Sequence, residues 1–361
     1  MKISVLGTGN VGCATACDLA SRGHDVILIK TSQAANNDNF SFISTHDNQI
    51  IMYDLDGKTF SAKIKATSYD IADISDSEII LVMIQTTYHE EVIKKMIPYL
   101  QKDQIVLFNP GYLSTAYMLK HGARDDVIIV EAESSFIDCR IQEFGHINVS
   151  FRNVRNPLGV YPHSRTEEAK EKLEQLGFPF EYLSSVIEAA LHNPNLIVHT
   201  VGAVMSIPRI EKTNGNYYMY HEVFTPSVWN ILEQLDNEKM DVLDKLGFSR
   251  LAYVDACKFR NSLDEEKDAK EVFFEYADDP NSVKGPTSVD SRYITEDVSQ
   301  GLVMLESLGE YLGVKTTIAS SIIQIASAAV GRDLRACGRS IENLGIKNIN
   351  KLLVDCEHHN I

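Results

Sequence analysis

The sequence lacks the long apolar runs, the excess of basic residues and the cysteine patterns that mark several large classes of protein. No stretch of its 361 residues approaches the roughly 20 apolar residues needed to cross a bilayer, and it opens directly on an apolar strand pattern, so we expect no signal peptide and a cytoplasmic location. With 34 Lys and Arg against 50 Asp and Glu, the net charge of -16 disfavours binding to nucleic acid or to anionic membranes. The six cysteines have neither disulfide nor metal-ligand spacing, and no metal site is predicted.

The most informative feature that is present lies at the start of the chain. An apolar run there breaks into three glycines at the spacing G-x-G-x-x-G. In this pattern the first glycine permits a tight turn, the second lets the backbone approach a pyrophosphate, and the third lets a helix pack closely on the sheet. The pattern predicts a dinucleotide-binding turn formed by Gly7, Gly9, Asn10, Val11 and Gly12.

A glycine pattern alone is weak evidence, but its neighbours supply the required context. Residues 3–6 have the pattern of a buried parallel strand, residues 11–21 that of a helix, and residues 25–29 that of a second strand. The amino end of such a helix attracts phosphate without a basic side chain, because its first N–H groups are unpaired and its dipole is positive there. We therefore expect cofactor binding, the alternative being a glycine-rich turn of another α/β protein.

The two halves of the chain have different periodicities. Strands alternate with helices through the first half, including a hairpin pattern over 49–64, which is typical of a parallel sheet covered on both faces. The second half is helical, starting with a long apolar helix over 185–205. We predict an α/β fold in which a Rossmann doubly wound parallel sheet over 1–185 binds the dinucleotide and an all-helical domain over 186–361 follows. Further helices are predicted over 227–246, 298–311 and 317–330.

Polar residues at the carboxyl ends of the predicted strands indicate where a cofactor binds and which one it is. Gln85 and Asn109 follow two apolar strands, and open α/β sheets bind ligands at such ends. The second strand is followed by Lys30, Thr31 and Ser32, where an NAD-selective fold carries an acidic residue for the adenosine ribose. A cation and two hydroxyls suit a 2′-phosphate, so we predict NADP. If Lys30 is only a solvated lysine, NAD is the alternative.

The helical half contains a histidine and a polar cluster that together suggest chemistry. His199 lies in a strongly apolar helix pattern, where a lone histidine is more often a buried core residue than a catalyst. The segment 291–297 supplies Arg292 and Asp297 immediately before a helix. The segment changes those odds, because His199, Asp297 and Arg292 then supply an imidazole, a carboxylate and a guanidinium in the same half of the chain. The alternatives are a core histidine, a helix-capping aspartate and an arginine that pairs with surface acids.

In their order and spacing these segments resemble the opine dehydrogenase family, the NAD/NADP octopine and nopaline dehydrogenases, over nearly the whole chain. The most specific matches are Phe-Thr-Pro-Ser-Val at 224–228 and Arg-Tyr-x-x-Glu-Asp-Val at 292–298, preceded by Asn-x-x-x-His ending at His199. Asn-Pro-Gly at 109–111 and the segment 338–345 are most similar to the bacterial branch typified by N-(1-D-carboxyethyl)-L-norvaline dehydrogenase.

The resemblance implies an oxidoreductase acting on CH–NH bonds, with a helical domain like the carboxyl-terminal domain of 6-phosphogluconate dehydrogenase. Such enzymes use NAD(P)H to condense a 2-oxo acid, usually pyruvate, with an amino acid, and the product is a secondary amine with two carboxylates. The resemblance makes His199 the catalytic histidine, Asp297 its partner and Arg292 the residue that holds a substrate carboxylate. A histidine that acts as general acid and base raises the reaction rate by roughly 100- to 10,000-fold.

Two departures from the family leave substrate and cofactor choice open. Thr200 follows the histidine where the family often has proline, and Lys30 replaces the acid that ends the second strand. Small molecules are the expected partners, and a homodimer is left open. Three tyrosines either line the amino-acid pocket or form a packed cluster, namely Tyr217, Tyr218 and Tyr220.

Two rival functions fit the same architecture. A ketone reductase of the ketopantoate-reductase or glycerol-3-phosphate-dehydrogenase type generally relies on a lysine in the helical domain, and residues 185–205 contain none. A catalytically silent NADP(H)-binding sensor would have no need for the candidate histidine, arginine and aspartate together. Cofactor binding without substrate-dependent oxidation would favour the sensor.

Overall fold

The computed structural model describes residues 1–32, 37–278 and 284–357. The chain divides into two compact units, Met1–Val186 and Ile187–Ile361. The first unit contains the strands and the second is helical.

Two sheets build the first unit. The larger has the strand order β12-β11-β8-β7-β6-β1-β2-β5, and the smaller has the order β4-β3-β10-β9. In chain order the strands are β1 Lys2–Leu6, β2 Asp25–Ile29, β3 Gln49–Tyr53, β4 Thr59–Lys63, β5 Ala66–Ser68, β6 Ile79–Val82, β7 Ile105–Phe108, β8 Ile128–Ala132, β9 Ile137–Glu143, β10 His146–Arg152, β11 Asn156–Tyr161 and β12 Phe180–Tyr182. Six neighbouring strands of the larger sheet, from β8 to β5, are parallel, and β11 pairs with β8 in the antiparallel direction.

The register of the parallel strands brings their carboxyl ends to one edge. Leu6 of β1 pairs with Ile29 of β2 and Val82 of β6, Val82 pairs with Phe108 of β7, and Phe108 pairs with Glu131 of β8. Every residue of β6 and β7 is buried, as expected for parallel strands that helices cover on both faces. The loops after β1, β2, β6 and β7 therefore lie along one edge of the sheet.

Five helices accompany these strands in the described part of the first unit, and α1 packs against all four strands of the smaller sheet. They are α1 Asn10–Ser21, α2 Asn37–Thr45, α3 His89–Met96, α4 Ser114–Lys120 and α5 Thr166–Leu173. The fold class is the predicted one, and the hairpin predicted over 49–64 is confirmed by the antiparallel pair β3 and β4.

The second unit is made of short and medium helices. In chain order they are α6 Val186–Leu191, α7 Val198–Met205, α8 Ile207–Thr213, α9 Met219–Glu222, α10 Pro226–Lys245, α11 Tyr253–Asn261, α12 Ala269–Asp278, α13 Arg292–Thr295, α14 Val303–Leu312, α15 Thr317–Val330, α16 Ile341–Leu344 and α17 Ile346–Glu357. Among the helices of the described residues, none has the length and apolarity that crossing a membrane requires.

The single long helix predicted over 185–205 is wrong. Helix α6 ends at Leu191, and a 3-10 turn, Pro194–Leu196, follows before α7 begins. Pro194 has no N–H to donate into a continuous helix, and the Asn193 side chain accepts a hydrogen bond from Asn195 N at 2.9 Å, which starts the new turn.

Two of the other predicted helices match closely. The predictions over 227–246 and 317–330 correspond to α10 and α15. The helix predicted over 298–311 begins later, because a π-helix, Asp297–Leu302, precedes α14.

Candidate functional site

The glycine turn after β1 has no room for side chains at two positions. Gly7 has φ of +112°, and a Cβ atom there would lie 2.4 Å from the carbonyl oxygen of Met83. A Cβ atom on Gly12 would lie 2.0 Å from the carbonyl oxygen of Gly7. Both distances are far below van der Waals contact, so the turn and the close packing of α1 depend on glycine at these positions.

The amino end of α1 lacks a side-chain cap. Gly9 occupies the N-cap position in an extended conformation, no side chain accepts from the first turn, and that turn contains no acidic residue. The Asn10 side chain instead accepts a hydrogen bond from Ile141 N of β9 at 2.9 Å. Asn10 and Val11 can therefore serve an anion through their backbone N–H groups, which is how helix amino termini bind phosphate.

The loops after β6 and β7 present the next predicted residues. Gln85 is exposed, whereas Asn109 is buried with 4% exposure. The backbone of Asn109 is fixed by a hydrogen bond from its N to Val82 O at 3.1 Å, but neither polar atom of its side-chain amide has a hydrogen-bond partner among the described residues. A buried amide without partners is costly, so it marks a place where a polar ligand group would be bound.

The loop after β2 does not present its cation as the sequence suggests. Lys30 N donates to Ser68 O at 2.9 Å, and the Lys30 residue is only 3% exposed. Burial lowers the pKa of the Lys30 ammonium. Thr31 is half-buried and Ser32 is exposed, so of the three predicted residues the two hydroxyls are the more accessible.

A dinucleotide fits these features of the first unit. Backbone atoms lie so close to Gly7 and Gly12 that a Cβ atom at either position would clash. The helix α1 begins without a side-chain cap, which leaves its first N–H groups for a phosphate. At the same sheet edge, the polar atoms of the buried Asn109 amide have no hydrogen-bond partner among the described residues. An acid is absent after β2 in the described segment that ends at Ser32, so nothing there repels a 2′-phosphate.

A histidine and an aspartate form the centre of the second unit's candidate site. His199, the second residue of α7, has its Nδ1 atom 2.8 Å from Oδ2 of Asp297, the first residue of the π-helix. Asp297 is 1% exposed and His199 is 8% exposed. An ionised carboxylate only accepts hydrogen bonds, so Nδ1 carries the proton in this pair and Nε2 is the nitrogen that can exchange one.

Asp297 lies at the start of a π-helix, which sets the position of its side chain in this site. A π-helix is rare and marks functional sites more often than ordinary helix does. Here it follows the four-residue helix α13, and Gln300 N still donates to Glu296 O at 2.7 Å. This change of helix type at Asp297 is the reason that the predicted helix boundary was wrong.

Tyr293 is a residue of this site to which the sequence analysis assigned no role. Its ring lies against the His199 ring, with centroids 4.0 Å apart and planes inclined by 36°. The side chain is half-buried, so it shields one face of the imidazole from water. Its position in the Arg-Tyr-x-x-Glu-Asp segment was the available signal.

Arg292 lies on the same segment, five residues before Asp297. Its side chain is 51% exposed, and its Nε atom lies 3.5 Å from Oε2 of the buried Glu296. Arg292 therefore does form an ion pair with an acid, as the alternative to a catalytic role proposed, although that acid is the buried Glu296. An exposed guanidinium remains suited to a substrate carboxylate.

The three tyrosines separate into different environments. Tyr217 is buried, and its hydroxyl lies 2.8 Å from Ser206 Oγ. Tyr220 packs its ring against Phe273 and other aromatic side chains, whereas Tyr218 is 36% exposed. The packed-cluster alternative describes Tyr220.

Comparisons with known proteins show which proteins each part of the chain is similar to. A family model described as "NAD/NADP octopine/nopaline dehydrogenase, alpha-helical domain" matches residues 182–330, and one described as "NAD-dependent glycerol-3-phosphate dehydrogenase N-terminus" matches residues 2–110. An opine dehydrogenase of Arthrobacter sp. (strain 1C) is 25% identical over 354 residues, which cover 96% of this chain and 95% of that protein.

Solved structures show the same fold. A structure of octopine dehydrogenase with NADH and L-arginine superposes with a TM-score of 0.71 at 19% identity, covering 96% of both chains. A structure of yersinopine dehydrogenase with NADP+ gives a TM-score of 0.69 at 16% identity, covering 99% of this chain and 96% of that one. Residues 182–330 are thus similar to the alpha-helical domain of the NAD/NADP octopine/nopaline dehydrogenases, and the chain is similar to an opine dehydrogenase over nearly its whole length.

Proposed function

We propose that this protein is an NAD(P)H-dependent opine dehydrogenase. It reductively condenses a pyruvate-like 2-oxo acid with the amino group of an amino acid and forms a secondary amine that carries two carboxylates. The observation that carries the proposal is the buried 2.8 Å pair of His199 and Asp297 inside the helical unit that the family model matches. Residues 1–185 serve as the dinucleotide-binding domain and residues 186–361 as the substrate and catalytic domain.

The first unit holds the cofactor through backbone and amide groups. The glycine turn and the start of α1 bind the pyrophosphate, and Gln85 and Asn109 contact the dinucleotide from the loops after β6 and β7. When bound, the reduced nicotinamide supplies the hydride. The accessible hydroxyls of Thr31 and Ser32 receive the 2′-phosphate, and the charge of the neighbouring buried Lys30 attracts it, which makes NADPH the preferred cofactor, with NADH also used.

His199 moves the protons that condensation requires. Condensation of an amino acid's ammonium group with a ketone moves two protons from nitrogen to oxygen: the first makes the oxygen a hydroxyl when the amine adds, and the second lets it leave as water. The Nε2 atom of His199 accepts each proton in turn from the nitrogen and passes it to the oxygen, while Asp297 holds Nδ1–H and stabilises the imidazolium in between. Such general acid and base catalysis is worth roughly 100- to 10,000-fold.

Arg292 and Tyr293 prepare the substrate and the histidine. The exposed, planar guanidinium of Arg292 holds a substrate carboxylate through two parallel hydrogen bonds and orients the carbon that receives the hydride. Tyr293 holds the imidazole plane by ring contact at 4.0 Å.

The test of this function is cofactor oxidation with paired substrates. NADPH and NADH absorbance are followed with pyruvate and other 2-oxo acids, each with and without a panel of amino acids, and products are identified by mass spectrometry. Oxidation that needs both substrates and yields a secondary amine is the expected result. A hydroxy acid formed from the oxo acid alone would instead establish the ketone reductase, and cofactor binding without turnover would establish the sensor.

Replacement of the histidine separates chemistry from binding. His199→Ala is expected to lower kcat by roughly 100- to 10,000-fold while the NADPH dissociation constant changes less than about twofold, because the imidazole acts on protons and not on the dinucleotide. The matched control is His221→Ala, which removes an exposed histidine paired with Asp278 in the same unit. Loss of NADPH binding in His199→Ala would instead assign the histidine a structural role.

A cytoplasmic location and a homodimeric state complete the proposal. Both can be measured on the intact protein, by fractionation of cells that express the full chain and by sedimentation equilibrium.

A further inference from the structure

A buried histidine outside the proposed catalytic group connects the two loops that carry Gln85 and Asn109. His89, the first residue of α3, is fully buried, and its Nε2 donates to Ile84 O at 3.2 Å. Its Nδ1 lies 2.6 Å from Ser114 Oγ, at the start of α4. We call these contacts the His89 bridge.

Ser114 extends the bridge into the loop after β7. Its hydroxyl oxygen also lies 2.7 Å from Gly111 O, so its one proton is shared between that carbonyl and Nδ1 of His89, and its backbone N donates to the same carbonyl at 3.3 Å. Gly111 stands two residues after Asn109, and Ile84 stands immediately before Gln85. One imidazole and one hydroxyl therefore span both loops.

Each loop is also fixed on its other side. A Cβ atom on Gly7 would lie 2.8 Å from a side-chain carbon of Ile84, so the loop after β6 abuts the glycine turn. The loop after β7 is held by Glu131, which accepts from Leu113 N at 2.8 Å and from Thr115 N at 2.7 Å. The His89 bridge joins these two supported segments at the sheet edge where the dinucleotide is proposed to bind.

The strand order says which part of a dinucleotide these loops would face. β1 lies between β2 and β6, with β7 beyond β6. The phosphates lie at the turn after β1 and the adenosine ribose at the end of β2, so the nicotinamide half extends toward β6 and β7. The loops that the bridge joins therefore lie on the nicotinamide side.

From this geometry we propose that His89 is a positioning residue for the nicotinamide half of the cofactor. It acts through Ser114 and Ile84, holding Asn109 and Gln85 at the separation that the bound dinucleotide requires. The inference rests on the proposed function, because it takes the dinucleotide as the ligand. Groups held in place before binding cost less ordering on binding, which is where the gain in affinity arises.

The two nitrogens can be tested separately. In His89→Asn the amide ends near the position of Nδ1 and can keep the Ser114 bond, whereas in His89→Gln it ends near Nε2 and can keep the Ile84 bond. Ser114→Ala removes the hydroxyl and leaves the imidazole. The matched control is His121→Gln, because His121 Nε2 bonds Glu90 Oε1 at 2.9 Å and so links α4 to α3 without touching either loop.

The experiment is titration of the full-length protein, without substrates, with NADPH and separately with 2′,5′-ADP, which represents the adenosine half. We expect Ser114→Ala and both His89 variants to raise the NADPH dissociation constant about tenfold, which corresponds to about 1.4 kcal/mol. The 2′,5′-ADP dissociation constant is expected to stay within about twofold, which also shows that the turn is folded, and His121→Gln should match wild type with both ligands.

Two results would overturn the inference. NADPH binding equal to wild type in all three variants would show that the bridge does not position the loops, and parallel loss of both ligands would show a general structural role. A wild-type protein that binds neither ligand would be a different result, since it removes the proposed function itself.

Discussion

Replacement of Asp297 by asparagine tests the central geometry of the second unit with a minimal change of shape. Oδ2 of Asp297 lies 2.8 Å from Nδ1 of His199, and the carboxylate is 1% exposed, so water screens the pair very little. Asparagine keeps the size and one acceptor oxygen but removes the charge. In the proposed mechanism, Asp297→Asn therefore removes the stabilisation of the imidazolium that forms while a proton is held on Nε2.

The magnitude follows from the distance and the burial. A hydrogen bond to a charged group contributes about 1.5 to 3 kcal/mol, and two unit charges about 4 Å apart attract by about 4 kcal/mol at an effective dielectric constant of about 20. A loss of about 2 to 4 kcal/mol from the transition state corresponds to a fall in kcat of about 30-fold to 1,000-fold. NADPH affinity should be unchanged, because the pair belongs to the helical unit.

The assay is kcat and KM for the oxo acid and the amino acid under saturating NADPH, with the NADPH dissociation constant measured by titration. Asp290→Asn is the control, since it makes the same chemical change at an exposed residue that pairs with Arg332. A kcat within about threefold of wild type in Asp297→Asn would refute the assigned role of this carboxylate, because it lies below the smallest loss derived from the structure.

Three further predictions concern other parts of the chain. Gly12→Ala places a Cβ 2.0 Å from Gly7 O. We therefore expect titration to show weaker binding of both NADPH and 2′,5′-ADP, and urea unfolding to show a fall in the free energy of unfolding of about 1 to 3 kcal/mol. Lys30→Asp should lower the ratio of kcat/KM for NADPH to that for NADH, and an unchanged ratio would contradict the proposed phosphate site. Burial lowers the pKa of His192 from 6.5 to about 3, so between these values the unfolded chain binds a proton that the folded chain does not, and stability falls as pH falls. His192→Gln should therefore recover about 2 kcal/mol of the stability lost between about pH 7.5 and pH 5, and equal losses in both proteins would contradict the assignment.

Local patterns predicted much of the first unit because its elements are decided by neighbouring residues. The strand predicted over 25–29 coincides with β2, and the hairpin over 49–64 was found as β3 and β4. Apolar runs bounded by polar or glycine residues are strong signals for buried strands. The same signals did not reveal that β11 joins the main sheet antiparallel to β8, because pairing direction depends on residues far apart in the chain.

The second unit shows what periodicity misses. Apolar composition over 185–205 suggested one helix, although Pro194 divides it. The π-helix at Asp297–Leu302 has no recognisable sequence signal, yet it sets where Asp297 lies. Its partner His199 is 98 residues away in sequence, so their 2.8 Å contact became a hypothesis only through the family resemblance.

Burial is the property that the sequence conveyed least. Lys30 was treated as an accessible cation, but its 3% exposure and its lowered pKa come from side chains brought together by the sheet. His89 drew no attention in the sequence because nothing around it marks Ser114, 25 residues later, as its partner.

The net charge of -16 affects ligand binding at both candidate sites in the same way. A dinucleotide and two carboxylate substrates are all anions, and the field of such a chain opposes each of them. In the proposed function their capture therefore depends on short-range groups that overcome this field: backbone N–H groups at the start of α1, the buried amide of Asn109, and the guanidinium of Arg292. Because these groups act at hydrogen-bond distance, small displacements of the loops that carry them should weaken ligand binding. We therefore expect conservative substitutions to have large effects at the His89 bridge and at the Asp297 contact, which hold such groups in place.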